Sequence, residues 1–262
     1  MKYLLVSILV LNSLATFCHA EIQLSKSDAL ILANKIWQNE GDGKDQYLTQ
    51  WNEGETFASL GMGHFIWYPV NISDRPYRES FTILLTYLKE NGVELPYGIT
   101  PNTPCLWPNR TAFYKDFDSP KMYEIRQLLK TTFLEQAQFI VLRLHQSLPQ
   151  IIVAAPKKRQ PYIKNRFETI AQTPNGIYAL MDYINFKGEG VFEKERYQGY
   201  GWGLLQVLDA MPENSKNNVL ANFVKAADFV LTRRVKYAPK EERQWLAGWR
   251  KRLQTYLVQE SD

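Results

Sequence analysis

The stretch Gly61–Trp67 (GMGHFIW) places two glycines and a histidine directly before a run of aromatic residues. Glu40 precedes Gly61 by 21 positions (61 − 40) and is followed at once by Gly41. Glycines allow sharp turns and a close approach of backbone to a ligand. These two segments decide how the chain is interpreted, either as parts of one active site or as a tight turn and a helix end.

A helix is predicted to end at Gly41. Ser25 and Asp28 have the spacing of a capping box, apolar residues then recur at helical spacing, and glycine commonly stops a helix. Glu40 would therefore lie at the C-terminal end, where the helix dipole and desolvation raise the pKa of a carboxyl group. A carboxyl group with a raised pKa can donate a proton to a leaving oxygen.

The composition is that of a globular protein, with 45% hydrophobic and 22% charged residues among 262. Residues 1–20 have a short basic start, an apolar stretch and small residues before a cut after Ala20, which is typical of a signal peptide. We expect a periplasmic or secreted protein that is not held at a membrane after cleavage. Residues 21–262 are predicted to form a single domain.

The pattern predicts a mainly helical protein of the α+β class, with one small β-lobe after the first helix. Glycines and aromatic residues in 41–69 indicate turns and strands, and a loop rich in proline occupies 93–118. The periodicity predicts the remaining helices at about these ranges: 78–91, 120–148, 159–172, 176–186, 202–211, 215–233 and 239–258.

The pattern Asn-Glu-Gly, Tyr, then Ser-Leu-Gly-Met-Gly-His resembles the phage-type lysozymes, whose pattern is Glu-Gly, then Tyr, then Thr-Ile-Gly-x-Gly-His. The matching positions are Glu40-Gly41, Tyr47 and 59–64. The resemblance implies a lysozyme-like fold with Glu40 as general acid. It also implies that Ser59 helps hold the attacking water and that His64 and Tyr47 support the site.

The sequence departs from that pattern at the second carboxylate. The aspartate of the family falls here on Thr49, and the interval from Glu40 to His64 is long, at 24 residues (64 − 40). Glu53 or Glu55, in an enlarged loop, would have to supply the missing group. Without it, the sugar's own hydroxyl would attack, as in lytic transglycosylases.

Glycines and aromatic rings of the β-lobe are candidates for sugar contacts. Gly61 and Gly63 would let the backbone approach a sugar ring closely, and Trp67 would offer it a flat apolar face. Three further aromatic residues could do the same: Trp51, Phe65 and Tyr68.

A second segment rich in glycine, Met181–Pro212, contains Gly-Leu-Leu-Gln. It resembles the Gly-Leu-Met-Gln motif of soluble lytic transglycosylases and goose-type lysozymes, which implies that Gln206 lines a glycan cleft. Asn185 and Glu189 are further candidates for substrate binding, and Glu189 is a rival to Glu40 as the acid. Alternatively, the segment is an ordinary helix–loop–helix. We expect one cleft walled by both segments.

Other chemistries find little support in the sequence. After processing, only His64, His145 and Cys105 could supply nitrogen or sulfur ligands, so no metal site and no cofactor is expected. The net charge of +4 is mild and the basic clusters are short, so nucleic acid is not an expected partner. The sequence does not predict an oligomeric state.

The sequence thus supports an exported glycosidase that acts on peptidoglycan or a related amino-sugar polymer, by hydrolysis or by transglycosylation. Two alternatives remain open. One is a lysozyme-like scaffold that binds glycan or a partner without cleaving it, and the other is a glycosidase that acts on chitosan.

Overall fold

The computed structural model describes residues 25–257 apart from 42, 76, 174 and 213–217. The predicted signal peptide lies outside the described residues. The described chain is mainly helical with a small antiparallel sheet, which confirms the predicted fold class at this level. Among its helices, none combines the length and apolar character needed to cross a membrane.

The first helix, α1, spans Lys26–Gly41. The amide of Asp28 donates to the hydroxyl oxygen of Ser25 at 3.1 Å, as the predicted capping box requires. Ala33 and Ile36 are fully buried on the face that packs against the long helix α5, Phe133–Ala154. The buried face fixes the position of α1, and with it the position of Glu40 in its last turn.

The β-lobe follows α1 as predicted. Three strands, β1 (Thr49–Gln50), β2 (Ala58–Leu60) and β3 (Phe65–Trp67), pair in that order and run antiparallel. Ser59 lies opposite Gln50 on one side and Ile66 on the other. The turn between β1 and β2 contains Glu53 and Glu55, the two candidates for the second carboxylate.

A buried glutamine joins the β-lobe to the helices. Gly61 has φ +74°, and the next amide, that of Met62, donates to Oε1 of Gln136 in α5 at 3.0 Å. The amide nitrogen of Gln136 donates in turn to the carbonyl of Leu129 at 2.6 Å. This bond anchors the β2–β3 turn on the helical part of the molecule.

The remaining elements follow in chain order, and Asn185, Glu189 and Gln206 lie between the start of α7 and the end of α8. The helices are α2 (Phe81–Glu90), α3 (Arg110–Lys115), α4 (Pro120–Thr131), then α5, α6 (Gln160–Ala171), α7 (Gly176–Lys187), α8 (Leu204–Ala210), α9 (Val219–Tyr237) and α10 (Arg243–Gln254). A short hairpin of β4 (Arg196–Tyr197) and β5 (Tyr200–Gly201) precedes α8.

Candidate active site

The carboxylate of Glu40 is the meeting point of three distant parts of the chain. Arg252 of α10 donates from Nη2 to Oε1 at 2.7 Å, and Asn185 of α7 donates from Nδ2 to the same oxygen at 3.2 Å. Nδ1 of His64 lies 3.4 Å from Oε2. The side chain of Glu40 remains 16% exposed, so solvent or a ligand can reach it.

Arg252 is itself held from behind by a buried carboxylate. Asp182 is fully buried, and it accepts from Nε and Nη2 of Arg252, both at 2.8 Å. The hydroxyl of Tyr256 donates to Oδ2 of Asp182 at 2.6 Å. Bidentate pairing to a buried partner fixes the plane of the guanidinium, so its remaining contact to Glu40 has a defined direction.

The end of α1 is fastened to the same network. Nδ2 of Asn39 donates to the hydroxyl of Tyr178 at 2.7 Å and to Oδ1 of Asp182 at 3.2 Å. Asn39 and Glu40 are consecutive residues at the end of α1, and both form hydrogen bonds to side chains of α7. The carboxylate of Glu40 therefore sits on rigid elements, as precise sites require.

His64 has an unusual backbone and a constrained ring. Its φ is +46°, a left-handed value that is uncommon outside glycine. Nε2 lies 3.3 Å from the carbonyl of Tyr47, which can only accept, so Nε2 carries a hydrogen. Nδ1 then faces the carboxylate of Glu40 at 3.4 Å, so the protonation state of either group affects the other. His64 and Glu40 therefore form a coupled pair.

The pKa of Glu40 is lowered, contrary to the expectation from its helix end. Burial favours the neutral form, but the positive charge of Arg252, the proximity of His64 and the hydrogen bonds from Arg252 and Asn185 outweigh it. Burial also lowers the pKa of His64, against the opposing effect of Glu40. In this arrangement Glu40 is ionised at neutral pH.

A second carboxyl group near Glu40 behaves in the opposite way. Glu55, in the β1–β2 turn, has a pKa raised to about 7, first by burial and further by the negative charge of Glu40, against a hydrogen bond from Asn52. Nδ2 of Asn52 donates to Oε2 of Glu55 at 3.2 Å. Glu53, two residues earlier in the same turn, is exposed. Of the two nominated carboxyl groups, Glu55 is thus the one coupled to Glu40.

The Ser-Leu-Gly-Met-Gly-His segment forms β2 and the turn that brings His64 to Glu40. Ser59 is 4% exposed in the central strand, and its hydroxyl forms no hydrogen bond within the described part of the chain. A Cβ added at Gly63 would lie 3.1 Å from Oδ1 of Asn185, so glycine allows this turn to approach the Glu40 site. Tyr47 contributes its carbonyl to His64, while its own ring lies 5.9 Å from the amine of Lys44.

Thr49, which occupies the position of the family's aspartate, lies on the opposite face of the sheet from Ser59. Thr49 is 1% exposed, and its hydroxyl accepts from Nε of Arg126 at 3.0 Å. The pairing of Thr49 with Leu60 and of Gln50 with Ser59 puts Thr49 and Ser59 on opposite faces of the sheet. The acidic group that is electrostatically coupled to Glu40 therefore comes from the β1–β2 turn rather than from β1 itself.

The aromatic residues nominated for sugar contacts are buried, which corrects the expectation for Trp67. Trp67 is fully buried and donates from Nε1 to the carbonyl of Thr103 at 2.8 Å, so its ring belongs to the core and presents no face to a sugar. The other three nominated rings are also at most 2% exposed: Trp51, Phe65 and Tyr68.

The second segment contributes less to the site than its motif suggested. Glu189 is 7% exposed and accepts from the hydroxyl of Ser147 at 3.0 Å, which places it in a separate buried cluster. Gln206 accepts from the amide of Gly203 at 3.0 Å and donates to the carbonyl of Gly190 at 2.9 Å. Both groups of Gln206 therefore hold the loop together, and of the three nominated residues only Asn185 touches Glu40.

Arg252 and Asp182 were missed by the sequence analysis. Arg252 lies in a run with Arg250 and Lys251, where nothing in the spacing sets one cation apart. Asp182 lies on the helical pattern that precedes Asn185, three residues before it. That interval puts both on one face of α7, which was the one available signal.

Among the described residues, no group of three or more His, Cys, Asp or Glu side chains could hold a metal ion. Comparisons of the chain with protein families, with curated proteins and with solved structures found no match. The function is therefore inferred from the geometry around Glu40.

Proposed function

We propose that this protein is an exported glycosidase that cleaves β-1,4 bonds of peptidoglycan or a related amino-sugar polymer. The observation that carries the proposal is the convergence of Arg252, His64 and Asn185 on the partly exposed carboxylate of Glu40. Burying such a cluster is costly, and perturbed carboxyl groups of this kind concentrate at functional sites. Residues 1–20 support export to the periplasm or the cell exterior.

The two carboxyl groups take different roles in this proposal. Glu55, with a pKa of about 7, keeps its proton in a substantial fraction of the molecules near neutral pH and serves as the acid that protonates the leaving oxygen, whereas Glu40 keeps its charge and stabilises the cationic sugar in the transition state. The role of general acid, which was expected for Glu40, is thus assigned to Glu55. The hydroxyl of Ser59 is available to hold water, which favours hydrolysis over transglycosylation.

The resemblance to the phage-type lysozymes supports a glycosidase site at Glu40, although it implies that Glu40 rather than Glu55 is the general acid. Its separate pieces, the helix-end glutamate and the Gly-x-Gly-His turn, meet at a distance of 3.4 Å between Glu40 and His64. A chance match of a short motif has no reason to bring its members into contact.

A second candidate, a glycan-binding protein that does not cleave, is favoured by one observation. The charge of Glu40 is already neutralised by Arg252 at 2.7 Å, which would suit a purely structural ion pair. In this case the residues around Glu40 would recognise sugar without cleaving it.

The first experiment incubates the mature protein with purified peptidoglycan and, separately, with chitosan, and identifies the soluble products by mass spectrometry. Four variants accompany it: Glu40→Gln, Glu55→Gln, Glu53→Gln and Glu189→Gln. We expect product release to fall by at least about 100-fold for Glu40→Gln and Glu55→Gln, because acid–base groups contribute on the order of 10²–10⁴-fold. Glu53→Gln is the matched control, since Glu53 is exposed in the same turn as Glu55.

The products separate the remaining possibilities. Reducing ends indicate a hydrolase, and anhydro-sugar ends indicate a transglycosylase. Loss of activity only in Glu189→Gln would move the site to the second segment. Binding without any product, from either polymer, would establish the non-catalytic candidate.

A further inference from the structure

Lys187, the last residue of α7, lies two positions after Asn185, which donates to Glu40. Its amine sits between two aromatic rings, 3.9 Å from the centroid of Phe186 and 3.7 Å from that of Trp249. The residue as a whole is half-buried, and the amine is close enough to Glu40 to interact with its charge.

Within the part of the chain that the structure describes, the amine of Lys187 has no hydrogen bond and no ion pair. The acidic groups near it are already engaged. Glu242 receives Nε and Nη2 of Arg234 at 2.7 and 2.9 Å, and Glu40 receives Arg252 at 2.7 Å. The amine is thus a donor without an acceptor.

The surroundings of Lys187 do not suit a lone positive charge. Burial first, and then the charges of Arg234 and Arg252, hold the pKa of the amine well below its usual value, while Glu242 and Glu40 act in the opposite direction. The two aromatic faces offset part of this cost through cation–π attraction. Among the described residues, no carboxylate pairs directly with the amine.

We propose that Lys187 is a specificity-determining residue that binds a carboxylate of an acidic amino-sugar polymer, such as the lactyl carboxylate of N-acetylmuramic acid. This inference rests on the proposed function and names the class of substrate that the Glu40 site takes. Arg234 and Arg252 already pair with carboxylates, so among these three cations of the described chain it is the amine of Lys187 that can pair with a carboxylate of the ligand. The ring of Trp249 borders the same position and can contact the apolar face of the sugar.

The test measures binding without cleavage, by calorimetry with the Glu40→Gln variant. The two probes are the tetrasaccharide of alternating N-acetylglucosamine and N-acetylmuramic acid, and chitotetraose, which has the same β-1,4 backbone but no lactyl groups. We expect the acidic sugar to bind about tenfold more tightly or better, the size of effect that a hydrogen bond to a charged group gives.

A second signature is proton uptake. A carboxylate placed beside the amine raises its pKa, so binding of the acidic sugar takes up a proton, which calorimetry in buffers of different ionisation enthalpy detects. Chitotetraose provides no carboxylate for Lys187 and serves to measure uptake by His64 and Glu55.

Variants assign the effect to Lys187. Lys187→Met is expected to abolish both the preference and the additional proton uptake, and Lys187→Arg to restore the preference. Lys251→Met, an exposed lysine next to Arg252, is the matched control and should change neither. Thermal unfolding of each variant verifies that the fold is retained.

The outcomes separate this inference from the proposed function. Equal affinity for the two sugars, or a preference that survives Lys187→Met, would overturn the role of Lys187 and leave the glycosidase proposal standing. Binding of neither sugar, with no product from peptidoglycan, would overturn both.

Discussion

At the scale of single residues, the surroundings of a carboxyl group decide what it can do. Glu40 and Glu55 have the same chemistry, yet Arg252 lowers the pKa of the first while burial and the charge of Glu40 raise the pKa of the second to about 7. Two carboxyl groups whose pKa values are driven apart are suited to acid and base roles.

The pH dependence of activity follows from this pair. With a pKa of about 7, Glu55 loses its proton as the pH rises through neutrality, so we expect activity to fall above about pH 7. The lowered pKa of Glu40 places the acidic limb below 4.5, its usual value. The rate of release of soluble fragments from peptidoglycan between pH 3 and 9 measures both limbs.

Carbon NMR of the Glu55 carboxyl group provides the direct test. In Glu40→Gln its pKa is expected to decrease, because the charge of Glu40 is one of the causes that raise it. Glu53→Gln is the control and should leave the titration unchanged. A Glu55 that titrates near its ordinary value in the unsubstituted protein would contradict the assigned roles.

Gly61 supports the site through backbone conformation and lack of volume. We expect Gly61→Ala to lower the free energy of unfolding by about 2–4 kcal/mol, from a left-handed φ and from overlap with neighbouring atoms. A Cβ there would lie 2.5 Å from Oε1 of Gln136. Urea-induced unfolding measures the loss.

Gly54→Ala is the matched control. Its φ of +80° is also left-handed, but a Cβ there would meet nothing within 4 Å. The control should therefore show only the conformational cost, about 1–2 kcal/mol. Equal losses in both variants would mean that the contact with Gln136 can relax freely.

At this scale the sequence identified one half of the site. Glu40, His64 and Asn185 were recognisable because a helix end, a glycine turn and a loop rich in glycine are local patterns. Arg252 was not, since its importance comes from Asp182 holding it in place, a contact that spans 70 positions. Trp67 was assigned to sugar because aromatic composition does not distinguish a core ring from an exposed one.

At the scale of elements, the main difference from expectation is the division of one predicted helix. Residues 120–148 were predicted as one long helix, but α4 ends at Thr131 and α5 begins at Phe133. The hydroxyl of Thr132 donates to the carbonyl of Leu128 at 2.7 Å, and its φ is −111°. Two consecutive β-branched residues whose hydroxyls bond to the backbone bend the chain there.

Gln136, just after the bend between α4 and α5, binds the backbone of the β-lobe. We expect Gln136→Leu to lower the free energy of unfolding by about 1–3 kcal/mol, because the buried amide of Met62 would lose its acceptor. Denaturant unfolding measures the change.

Gln146→Leu, at an exposed position of the same helix, is the control and should have little effect. The β-lobe should loosen in Gln136→Leu alone, which hydrogen exchange at the amide of Met62 would report. Unchanged protection there would show that the anchor is dispensable.

Other elements show where local patterns suffice. The first helix was predicted within a few residues and the β-lobe within 41–69, because capping residues and glycines mark these parts of the chain. The helix α3 was missed inside a segment rich in proline, although Asn109 caps it by accepting from the amide of Ala112 at 2.9 Å. The hairpin of β4 and β5 has two residues in each strand, too few for an alternation to be visible.

At the scale of the whole molecule, α10 is tied to α1 and α7 through one arginine. We expect Arg252→Met to lower the free energy of unfolding at neutral pH by about 3–5 kcal/mol, because it removes the cation that pairs with both Asp182 and Glu40. Thermal and urea unfolding measure the loss. Arg250 lies on the same helix as Arg252 and forms an exposed ion pair with Asp228 of α9. Arg250→Met breaks this pair and should lower the free energy of unfolding only slightly.

The loss in Arg252→Met should depend on pH in a definite direction. The lowered pKa of Glu40 gives the unsubstituted protein stability that is present above pH 4.5 and lost as the pH falls. Without Arg252, burial raises that pKa, so the variant loses stability as the pH rises above 4.5. The difference between the two proteins should therefore grow from pH 4 to pH 7, and a difference that shrinks would contradict this account.

The contact between Glu40 and Arg252 joins residues that are 212 positions apart. Synthesis proceeds from the N-terminus, so α1 and the β-lobe exist well before α10 emerges. A partly made chain therefore carries Glu40 and His64 but cannot assemble the charged cluster around them. The proposed cleavage of a cell wall polymer would therefore begin only after α10 has packed against α1 and α7, so an incompletely synthesised chain would be inactive.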